Sequence, residues 1–338
     1  MAKIDIISGF LGAGKTTLIK KLLAEAYAGE KLVLIENEFG EISIDGGFVQ
    51  DSGVQISEMS SGCICCSLVG DFGRALVDVE AQFHPDRILI EPSGVGKLSD
   101  VIRAVQEVAE DDENIRLNSF ITVVDAAKCK AYMKNFGEFF NDQVESAQCI
   151  ILSRTGKLSE EKLAAAVALL REKNASATII TTPWEQLTGA QILSAMESNS
   201  AARVHELAEE MEEHHHHHHH HDHDECDDPD CECHHHHDHD GHHHHHHADE
   251  VFTSWGVETP KSFAAADIER ILTALDSGEY GQVVRCKGIV PMGGGKWLHF
   301  DYVPEEHDVR EGTADVTGRL CVIGAKLDEA KLAALFGV

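Results

Sequence analysis

The sequence predicts an α/β protein whose first part is built on a mostly parallel, doubly wound sheet and whose last part is a small α+β domain. Up to about residue 205, short runs of Ile, Leu and Val alternate with helix-like stretches. This alternation is typical of a parallel sheet covered on both faces. Residues 206–250 interrupt it with a tract of histidine, acid and cysteine. The pattern that follows the tract is shorter and mixes strands with helices.

The strand-like and helix-like segments of the first part follow one another in order. Strands are predicted at KIDII, KLVLIEN, RILIEPS, NSFITVVDA and QCIILSR. Helices are predicted at TTLIKKLLAEAY, DFGRALVDVEAQF, LSDVIRAVQEVAEDD and EEKLAAAVALLREKN. Continuous apolar strands with helices between them indicate a parallel sheet enclosed by two helical layers.

The rest of the chain divides into a linker and a second domain. Within 214–247 there are 20 His, nine Asp or Glu and three Cys, a composition that cannot bury a core. Residues 206–250 are therefore interpreted as a flexible, metal-binding linker. Beyond it, helix-like AAADIERILTALDSG precedes strand-like YGQVVRCKGIV, KWLHFDYV and RLCVIGA and a final helix-like LDEAKLAALFGV. We expect domains at 1–205 and 251–338.

The composition excludes several kinds of partner. The 28 basic and 58 acidic residues give a formal net charge of −30. Such a surface repels nucleic-acid phosphates, so no nucleic-acid partner is expected. No apolar run approaches the roughly 18 residues of a membrane span, and we expect a cytoplasmic protein without a membrane partner. The ten cysteines then indicate metal ligands, reactive thiols or core residues rather than disulfides.

The segment GFLGAGKT matches the phosphate-binding pattern G-x-x-x-x-G-K-[ST] between a predicted strand and a predicted helix. Glycines let successive backbone amides turn around the phosphates, Lys15 reaches the β- and γ-phosphates, and the Thr16 hydroxyl holds Mg²⁺. A glycine turn that matches by chance is the alternative. The nucleotide-binding residues predicted here are Gly9, Gly12, Ala13, Gly14, Lys15, Thr16 and Thr17.

Two further acidic residues are candidates for the chemistry of this loop. Glu91 follows an apolar strand and is predicted to orient Mg²⁺ or its water, where most P-loop enzymes carry Asp. A merely solvated strand-end carboxylate is the alternative. The segment IENEFGEISID is a candidate switch segment, in which Asp45 could position the attacking water and Glu38 could ligate a metal. The predicted catalytic residues are Lys15, Asp45 and Glu91.

The segments GFLGAGKTT, IENEFGEISID, GCICC and ILIEPSG occur in this order along the chain. In order and spacing they resemble the CobW-type metal-chaperone GTPases, which are relatives of the hydrogenase- and urease-maturation GTPases. The resemblance spans the whole chain, since that family also has a His-rich linker and a small C-terminal α/β domain. It implies a P-loop NTPase fold with GTP as the nucleotide, and it allows a homodimer.

The base-reading segment departs from the family pattern. The usual Asn/Thr/Ser-Lys-x-Asp element follows a strand, but this chain has Ser153, Arg154, Thr155 and Gly156 there. The Asp that accepts two hydrogen bonds from guanine is therefore missing. Arg154 could still stack on the base, and backbone groups could read it. We predict that Ser153 and Arg154 bind the nucleotide, and the preference for GTP over ATP rests on the resemblance.

Cys63, Cys65 and Cys66 place three thiols in one short loop. A closed structural zinc site needs four ligands, so three thiolates with an open position suit a metal that must leave again. Thiolates favour Zn²⁺ or Cu(I), and the resemblance implies Zn²⁺, with Co²⁺ as a further option. A redox dithiol and buried, inert cysteines are the alternatives.

The His-rich tract has candidate metal ligands at nearly every position. Imidazoles and carboxylates together are expected to hold several exchangeable ions, with a tighter site at Cys226, Cys231 and Cys233. The histidine blocks contribute the candidate ligands His214, His221, His234 and His242. A passive spacer is one alternative, and a purification tag is another, although a tag is normally terminal and uniform.

These features together predict a GTP-hydrolysing metallochaperone. It would bind Zn²⁺ at the Cys-x-Cys-Cys loop and deliver it to a client apo-metalloprotein when GTP is cleaved. A metal-storage protein with a regulatory nucleotide domain is the alternative. A small-molecule kinase would use the same phosphate loop but would leave the cysteines unexplained.

Overall fold

The computed structural model describes residues 1–36, 55–58, 69–198 and 251–338. The first three ranges form an N-terminal α/β domain, and the last range forms a C-terminal domain around its own sheet. Several predicted residues lie outside these ranges and are named with the site below.

Seven strands of the described N-terminal domain form one sheet in the order β3-β2-β4-β1-β5-β6-β7. Every neighbouring pair in this sheet is parallel. Because parallel strands end at the same edge, the residues that follow β1, β2, β4, β5 and β6 are brought together there. The strands are β1 (Ala2–Gly9), β2 (Leu32–Glu36), β3 (Gln55–Glu58), β4 (Arg87–Glu91), β5 (Ile115–Asp125), β6 (Cys149–Ser153) and β7 (Thr178–Ile180).

Helices cover both faces of this sheet because its strands are apolar on both sides. Ile7, Leu34 and Leu89 face α1 and α7 in one core. Ile6 and Ile90 face the other helices in a second, larger core. The helices are α1 (Lys15–Glu25), α2 (Val69–Phe83), α3 (Leu98–Asp111), α4 (Cys129–Asn135), α5 (Gly137–Glu145), α6 (Glu160–Lys173) and α7 (Gly189–Glu197).

The C-terminal domain is a five-stranded antiparallel sheet in the order β11-β10-β9-β12-β8. Its strands are β8 (Thr253–Thr259), β9 (Gln282–Gly293), β10 (Lys296–Val303), β11 (Glu306–Gly312) and β12 (Gly318–Ala325). Two helices, α8 (Ala265–Ala274) and α9 (Glu329–Phe336), cover one face. Residues such as Ile268, Leu272 and Phe336 pack there on Leu298 and Phe300 of β10.

The other face of the C-terminal sheet joins the core of the N-terminal domain. Ile289 and Ile323 belong to the same buried cluster as the strands of the parallel sheet. Phe252, which precedes β8, inserts between aromatic residues of the N-terminal domain. Its ring centroid lies 5.4 Å from that of Phe136 and 6.2 Å from that of Phe10. The two domains therefore share one hydrophobic core.

The predicted fold class is confirmed: a parallel, doubly wound P-loop domain is followed by a small α+β domain. The short helices α4, α5 and α7 and the strands β3, β7, β8 and β11 were not predicted. The His-rich segment 206–250 lies outside the described residues, so its interpretation as a linker stays a prediction. The proposed domain limits also stay predictions.

Candidate nucleotide-binding site

The phosphate-binding loop connects β1 to α1. Gly9, Gly12 and Gly14 have φ values of 142°, 69° and 106°, a range that L-residues with a side chain rarely adopt. A Cβ on Gly9 would lie 2.3 Å from the carbonyl oxygen of Val123 on β5. Gly14 forms the N-cap of α1, and because it has no capping side chain, the first amides of this helix can bind an anion.

Lys15, Thr16 and Glu91 converge at the start of α1. The buried Lys15 Nζ donates to the carbonyl oxygen of Gly9 over 2.9 Å and lies 3.9 Å from Glu91 Oε1. The Thr16 hydroxyl lies 3.5 Å from the same carboxylate oxygen. A hydroxyl and a carboxylate this close are a suitable pair of oxygen ligands for Mg²⁺. The arrangement therefore fits the predicted roles of these three side chains.

The loop that follows β4 packs directly against the phosphate-binding loop. A Cβ on Gly94 would lie 2.7 Å from a methyl carbon of Leu11 and 3.0 Å from its backbone nitrogen. The buried Gln143 side chain of α5 holds the loop by donating from Nε2 to the carbonyl oxygens of Gly94 and Gly96, over 3.1 and 2.8 Å. Gln143 was not predicted, since its role depends on the packing of α5 against this loop.

Arg154 connects three parts of the site. It follows β6 with a left-handed φ of 59°. Its Nη1 donates to the carbonyl oxygen of Gly12 over 3.2 Å and forms a short ion pair with Asp125. Its Nη2 lies 3.2 Å from Glu306 Oε2 of the C-terminal domain. Because the guanidinium is held by these contacts, Arg154 is positioned beside the phosphate-binding loop rather than projecting into solvent.

Two of the predicted nucleotide-binding residues, Ser153 and Ala13, lie deeper in the domain. Ser153 is buried, and its hydroxyl donates to the carbonyl oxygen of Val124 over 3.4 Å. Ala13 is buried as well. Trp184, which was not predicted, lies near this end of the sheet with its indole nitrogen donating to the carbonyl oxygen of Leu152 over 2.9 Å. Its ring would lie 3.3 Å from a Cβ on Gly14.

The connection between β10 and β11 lies against the phosphate-binding loop. A Cβ on Gly12 would lie 2.1 Å from Cγ1 of Val303, so the two backbones approach closely only because residue 12 is glycine. Lys128, whose pKa is lowered mainly by burial, donates to the carbonyl oxygen of Pro304. Asp276 fixes the connection by accepting from the Tyr302 hydroxyl over 2.6 Å and from the backbone amide of Glu305 over 2.8 Å.

The two domains enclose a cavity of about 320 Å³, within the range typical of small-molecule sites. Its wall on the N-terminal side includes Gly12, Gly14, Lys15, Thr16, Thr17, Glu91 and Arg154. Its wall on the C-terminal side includes Arg285, Asp301, Val303, Glu306, Asp308 and Arg310. The sequence predicted the first wall from the phosphate-binding motif, the end of the ILIEPSG strand and the base-reading segment, but no motif indicated the second.

The predicted metal ligands lie outside the described residues. These are Cys63, Cys65, Cys66, Glu38, Cys226, Cys231, Cys233, His214, His221, His234 and His242, and the candidate catalytic residue Asp45 lies outside them too. Within the described ranges, no group of three or more His, Cys, Asp or Glu side chains is arranged to hold a metal ion. Burial raises the pKa of the Cys129 and Cys149 thiols to about 12, so these two cysteines are protonated core residues.

Comparison with known families agrees with this geometry. The nucleotide-binding domain of the CobW/HypB/UreG family matches residues 3–181, which is more than half of the chain. The chain belongs to the CobW/HypB/UreG family. The C-terminal domain of the cobalamin synthesis protein CobW matches residues 252–337. The predicted family resemblance is therefore confirmed in both halves of the chain.

Several curated proteins that this chain is similar to have names that mention zinc. The zinc chaperone YjiA of Escherichia coli (strain K12) is 34% identical over 184 residues, or 53% of this chain and 56% of that protein. The zinc chaperone CobW of Sinorhizobium sp is 32% identical over 188 residues, or 47% and 52%. The zinc-regulated GTPase metalloprotein activator 1 of Schizosaccharomyces pombe is 27% identical over 191 residues, or 54% and 46%. The chain thus spans about half the length of the relatives it matches.

Among solved structures, the Zn(II)-bound YjiA GTPase from E. coli aligns with 99% of this chain and 98% of its own, with a TM-score of 0.41 and 20% identity. HypB from Helicobacter pylori in complex with nickel aligns with 59% of this chain and 89% of its own, with a TM-score of 0.42 and 15% identity. In the part of the chain that the structure describes, none of the helices has the length and apolar character needed to cross a lipid bilayer.

Proposed function

We propose that this protein is a GTP-hydrolysing metallochaperone of the cytoplasm that binds Zn²⁺ and delivers it to a client apo-metalloprotein. The observation that carries the proposal is the convergence of Lys15, Thr16 and Glu91 in a cavity beside a glycine loop. The family membership and the zinc-related names of the relatives support the choice of nucleotide and cargo. Co²⁺ is a further cargo that the family resemblance allows.

The described residues divide the hydrolytic work among them. Lys15 places a buried positive charge where the β- and γ-phosphates would lie, and the loop glycines let backbone amides surround them. Thr16 and Glu91 would hold Mg²⁺, which neutralises charge on the phosphate oxygens when bound. Glu91 is held near Lys15 by their ion pair at 3.9 Å. Asp45 is proposed from the sequence to position the attacking water.

The cargo site is proposed at Cys63, Cys65 and Cys66, with Glu38 as a further ligand. The ends of β2 and β3 are paired in register at Glu36 and Glu58, at the sheet edge where the phosphate-binding loop lies. Cys63 follows Glu58 by five residues in the sequence, a span of at most about 18 Å of extended chain. This short span supports a coupling between metal binding at the three thiolates and nucleotide binding at the phosphate-binding loop.

The His-rich tract is proposed to collect metal for this site. Residues 206–250 would form the linker between domains at 1–205 and 251–338, and its cysteines and histidines would hold several exchangeable ions. A tethered donor raises the effective metal concentration at a neighbouring site. Deleting 214–247 should lower the number of ions bound per chain and leave one ion at the Cys-x-Cys-Cys loop. If the deletion also removed the ion at the Cys-x-Cys-Cys loop, the tract and the loop would not be separate metal sites.

Substitution of the phosphate-binding lysine tests the nucleotide chemistry. Lys15→Met should abolish Mg²⁺-dependent phosphate release from GTP, because it removes the buried ammonium that lies 3.9 Å from Glu91 beside the phosphate-binding loop. Lys21→Met is the matched control, since Lys21 lies on the same helix and pairs with exposed Glu25. Parallel assays with ATP test base selectivity, which Gly156 leaves without the usual aspartate. Equal loss in both variants would contradict the assigned role of Lys15.

Metal transfer tests the chaperone activity. Zn²⁺ should pass to a competing chelator or client faster when GTP is hydrolysed than with a non-hydrolysable analogue. By linkage, bound metal should change the nucleotide affinity by the same factor by which bound nucleotide changes the metal affinity. The Cys63→Ser, Cys65→Ser and Cys66→Ser triple variant should lose this dependence. Equal Zn²⁺ affinity of the GTP-analogue-bound and GDP-bound forms would instead identify a metal store.

A further inference from the structure

The C-terminal sheet presents a charged strip to the nucleotide cavity. Asp301 on β10 pairs in register with Asp308 on β11 and with Lys287 on β9. Arg310 is two residues beyond Asp308, so its side chain leaves β11 on the same face of the sheet. Asp301, Asp308 and Arg310 all line the cavity that contains the phosphate-binding loop. The strip therefore faces the position where the phosphates of a nucleotide would lie.

Arg310 is held in this strip by two carboxylates. Its Nη2 donates to Asp301 over 2.8 Å, and its Nη1 donates to Asp308 over 2.6 Å. Two acidic residues directly opposite each other on neighbouring strands repel, and the guanidinium bridges them. A guanidinium has five N–H donors, so Arg310 can keep both carboxylates and still donate to a third group. Its side chain is 40% exposed, which leaves it accessible from the cavity.

The contacts around this strip keep it close to the phosphate-binding loop. Val303, at the end of β10, packs on Gly12, and Glu306, at the start of β11, pairs with Arg154. Both contacts are made by the same hairpin that carries Asp301, Asp308 and Arg310. The β10–β11 hairpin that carries Arg310 is thus packed directly against the phosphate-binding loop.

We propose that the C-terminal domain completes the nucleotide site, with Arg310 binding the phosphate chain of the nucleotide held by the phosphate-binding loop. This inference rests on the proposed binding of GTP. An arginine that donates to a phosphate forms charge-assisted hydrogen bonds, which are stronger than neutral ones. Nucleotide binding would then hold the two domains together, because each domain supplies part of the same site.

Affinity for a non-hydrolysable GTP analogue, measured by calorimetry on the full chain at fixed Mg²⁺ and salt, tests the proposal. Arg310→Gln should weaken binding by about tenfold or more, the effect of losing a charge-assisted hydrogen bond. Arg310→Lys should lose part of this affinity, since lysine keeps the positive charge but lacks the several N–H donors of the planar guanidinium. Arg319→Gln is the matched control, because Arg319 also pairs with an acid, Asp315, in the C-terminal domain but does not line the cavity.

A second pair of variants separates the loss of Arg310 from the repulsion by the two carboxylates that it leaves behind. Arg310→Gln leaves Asp301 and Asp308 unneutralised, and their repulsion alone would weaken binding of a phosphate. The triple variant Asp301→Asn, Asp308→Asn, Arg310→Gln removes this repulsion, and it should still bind the analogue less tightly than the double variant Asp301→Asn, Asp308→Asn. Equal affinity of the triple and double variants would overturn the proposed contact between Arg310 and the phosphates.

The outcomes also distinguish this inference from the proposed function. If the wild-type chain binds the analogue and Arg310→Gln binds it equally well, the inference fails and the proposed function stands. If the wild-type chain does not bind the analogue, the proposed function fails and the inference fails with it. Unchanged circular dichroism and melting temperature of each variant exclude loss of folding as the cause of weaker binding.

Discussion

Gly12 is the residue on which the approach of the two domains depends. Its φ of 69° is left-handed, and a side chain there costs about 1–2 kcal/mol from backbone strain alone. A Cβ would also lie 2.1 Å from Val303, a distance that real carbon atoms do not adopt. Glycine is therefore required at this position both by the local turn and by a contact from the distant C-terminal domain.

We predict that Gly12→Ala lowers the free energy of unfolding by more than the roughly 1–2 kcal/mol of backbone strain, because the new methyl group also collides with Val303. Adding Val303→Ala should restore part of the loss, and the single Val303→Ala variant completes the double-mutant cycle. Denaturant unfolding measures each variant. If the effects of the two substitutions simply add, the contact does not contribute to the cost.

A buried polar network joins several elements at the edge of the parallel sheet opposite the phosphate-binding loop. Asp5 of β1 is fully buried and accepts from Asn118 Nδ2 of β5 over 2.7 Å. It also pairs with buried Arg87 of β4, whose Nη2 reaches Glu197 of α7 at 3.2 Å. Burial lowers the pKa of Arg87, but hydrogen bonds to Glu30 and Asp5 raise it overall. Arg87 is therefore charged, and its ion pair with Glu197 connects α7 to the sheet.

We predict that Glu197 makes the docking of α7 dependent on pH. Burial raises its pKa, but the hydrogen bond from Asn118 and the charges of Lys3 and Arg87 outweigh burial and lower it overall. Because its folded-state pKa lies below its unfolded-state pKa, its stabilisation is present above the unfolded value and is lost as the pH falls through the folded value. Glu197→Gln should therefore be less stable than wild type at neutral pH, with a difference that shrinks in acid.

Denaturant unfolding at a series of pH values measures this difference. Exposed Glu172 on α6 is the control, and Glu172→Gln should match the wild type throughout. A stability difference for Glu197→Gln that is the same at neutral and acidic pH would show that the carboxylate charge is not the cause.

At the scale of the whole molecule, the two domains are joined by packing as well as by the cavity. Phe252 lies 5.4 Å from Phe139 and 6.2 Å from Phe10 between ring centroids, and Phe10 is part of the phosphate-binding loop. The aromatic cluster thus connects the nucleotide site to the first strand of the C-terminal domain. A change in either domain that disturbs this cluster is expected to affect the other.

We predict that Phe252→Ala destabilises both domains together. The loss should be about 3–5 kcal/mol, as is typical of removing a buried phenylalanine ring, because Phe252 is 1% exposed in the shared core. Hydrogen exchange of the amides in β1 and β5 measures the effect on the N-terminal domain. Phe336→Ala is the control, since among the described residues Phe336 belongs to the separate C-terminal cluster. Unchanged exchange in β1 and β5 for Phe252→Ala would mean that the domains unfold independently.

Much of the N-terminal domain could be predicted from the sequence because its signals are local. The apolar runs of β1, β2, β4, β5 and β6 are continuous, and glycines, lysine and threonine follow β1 within nine positions. Glu91 was located because it ends such a run. The short helices α4 and α5 were missed because they span only seven and nine residues, too few for a clear helical periodicity. Strand β11 was missed because its sequence, EHDVREG, has almost no apolar residues.

By itself, the sequence determined the parallel sheet, the phosphate-binding loop and the family, because each is written in contiguous residues whose local geometry and chemistry depend on near neighbours. Only the tertiary structure decided that Val303, Glu306 and Arg310 would meet Gly12 and Arg154 across one cavity. These residues are separated from the loop by most of the chain. Their proximity follows from the packing of two sheets on a shared core, and no local pattern encodes it.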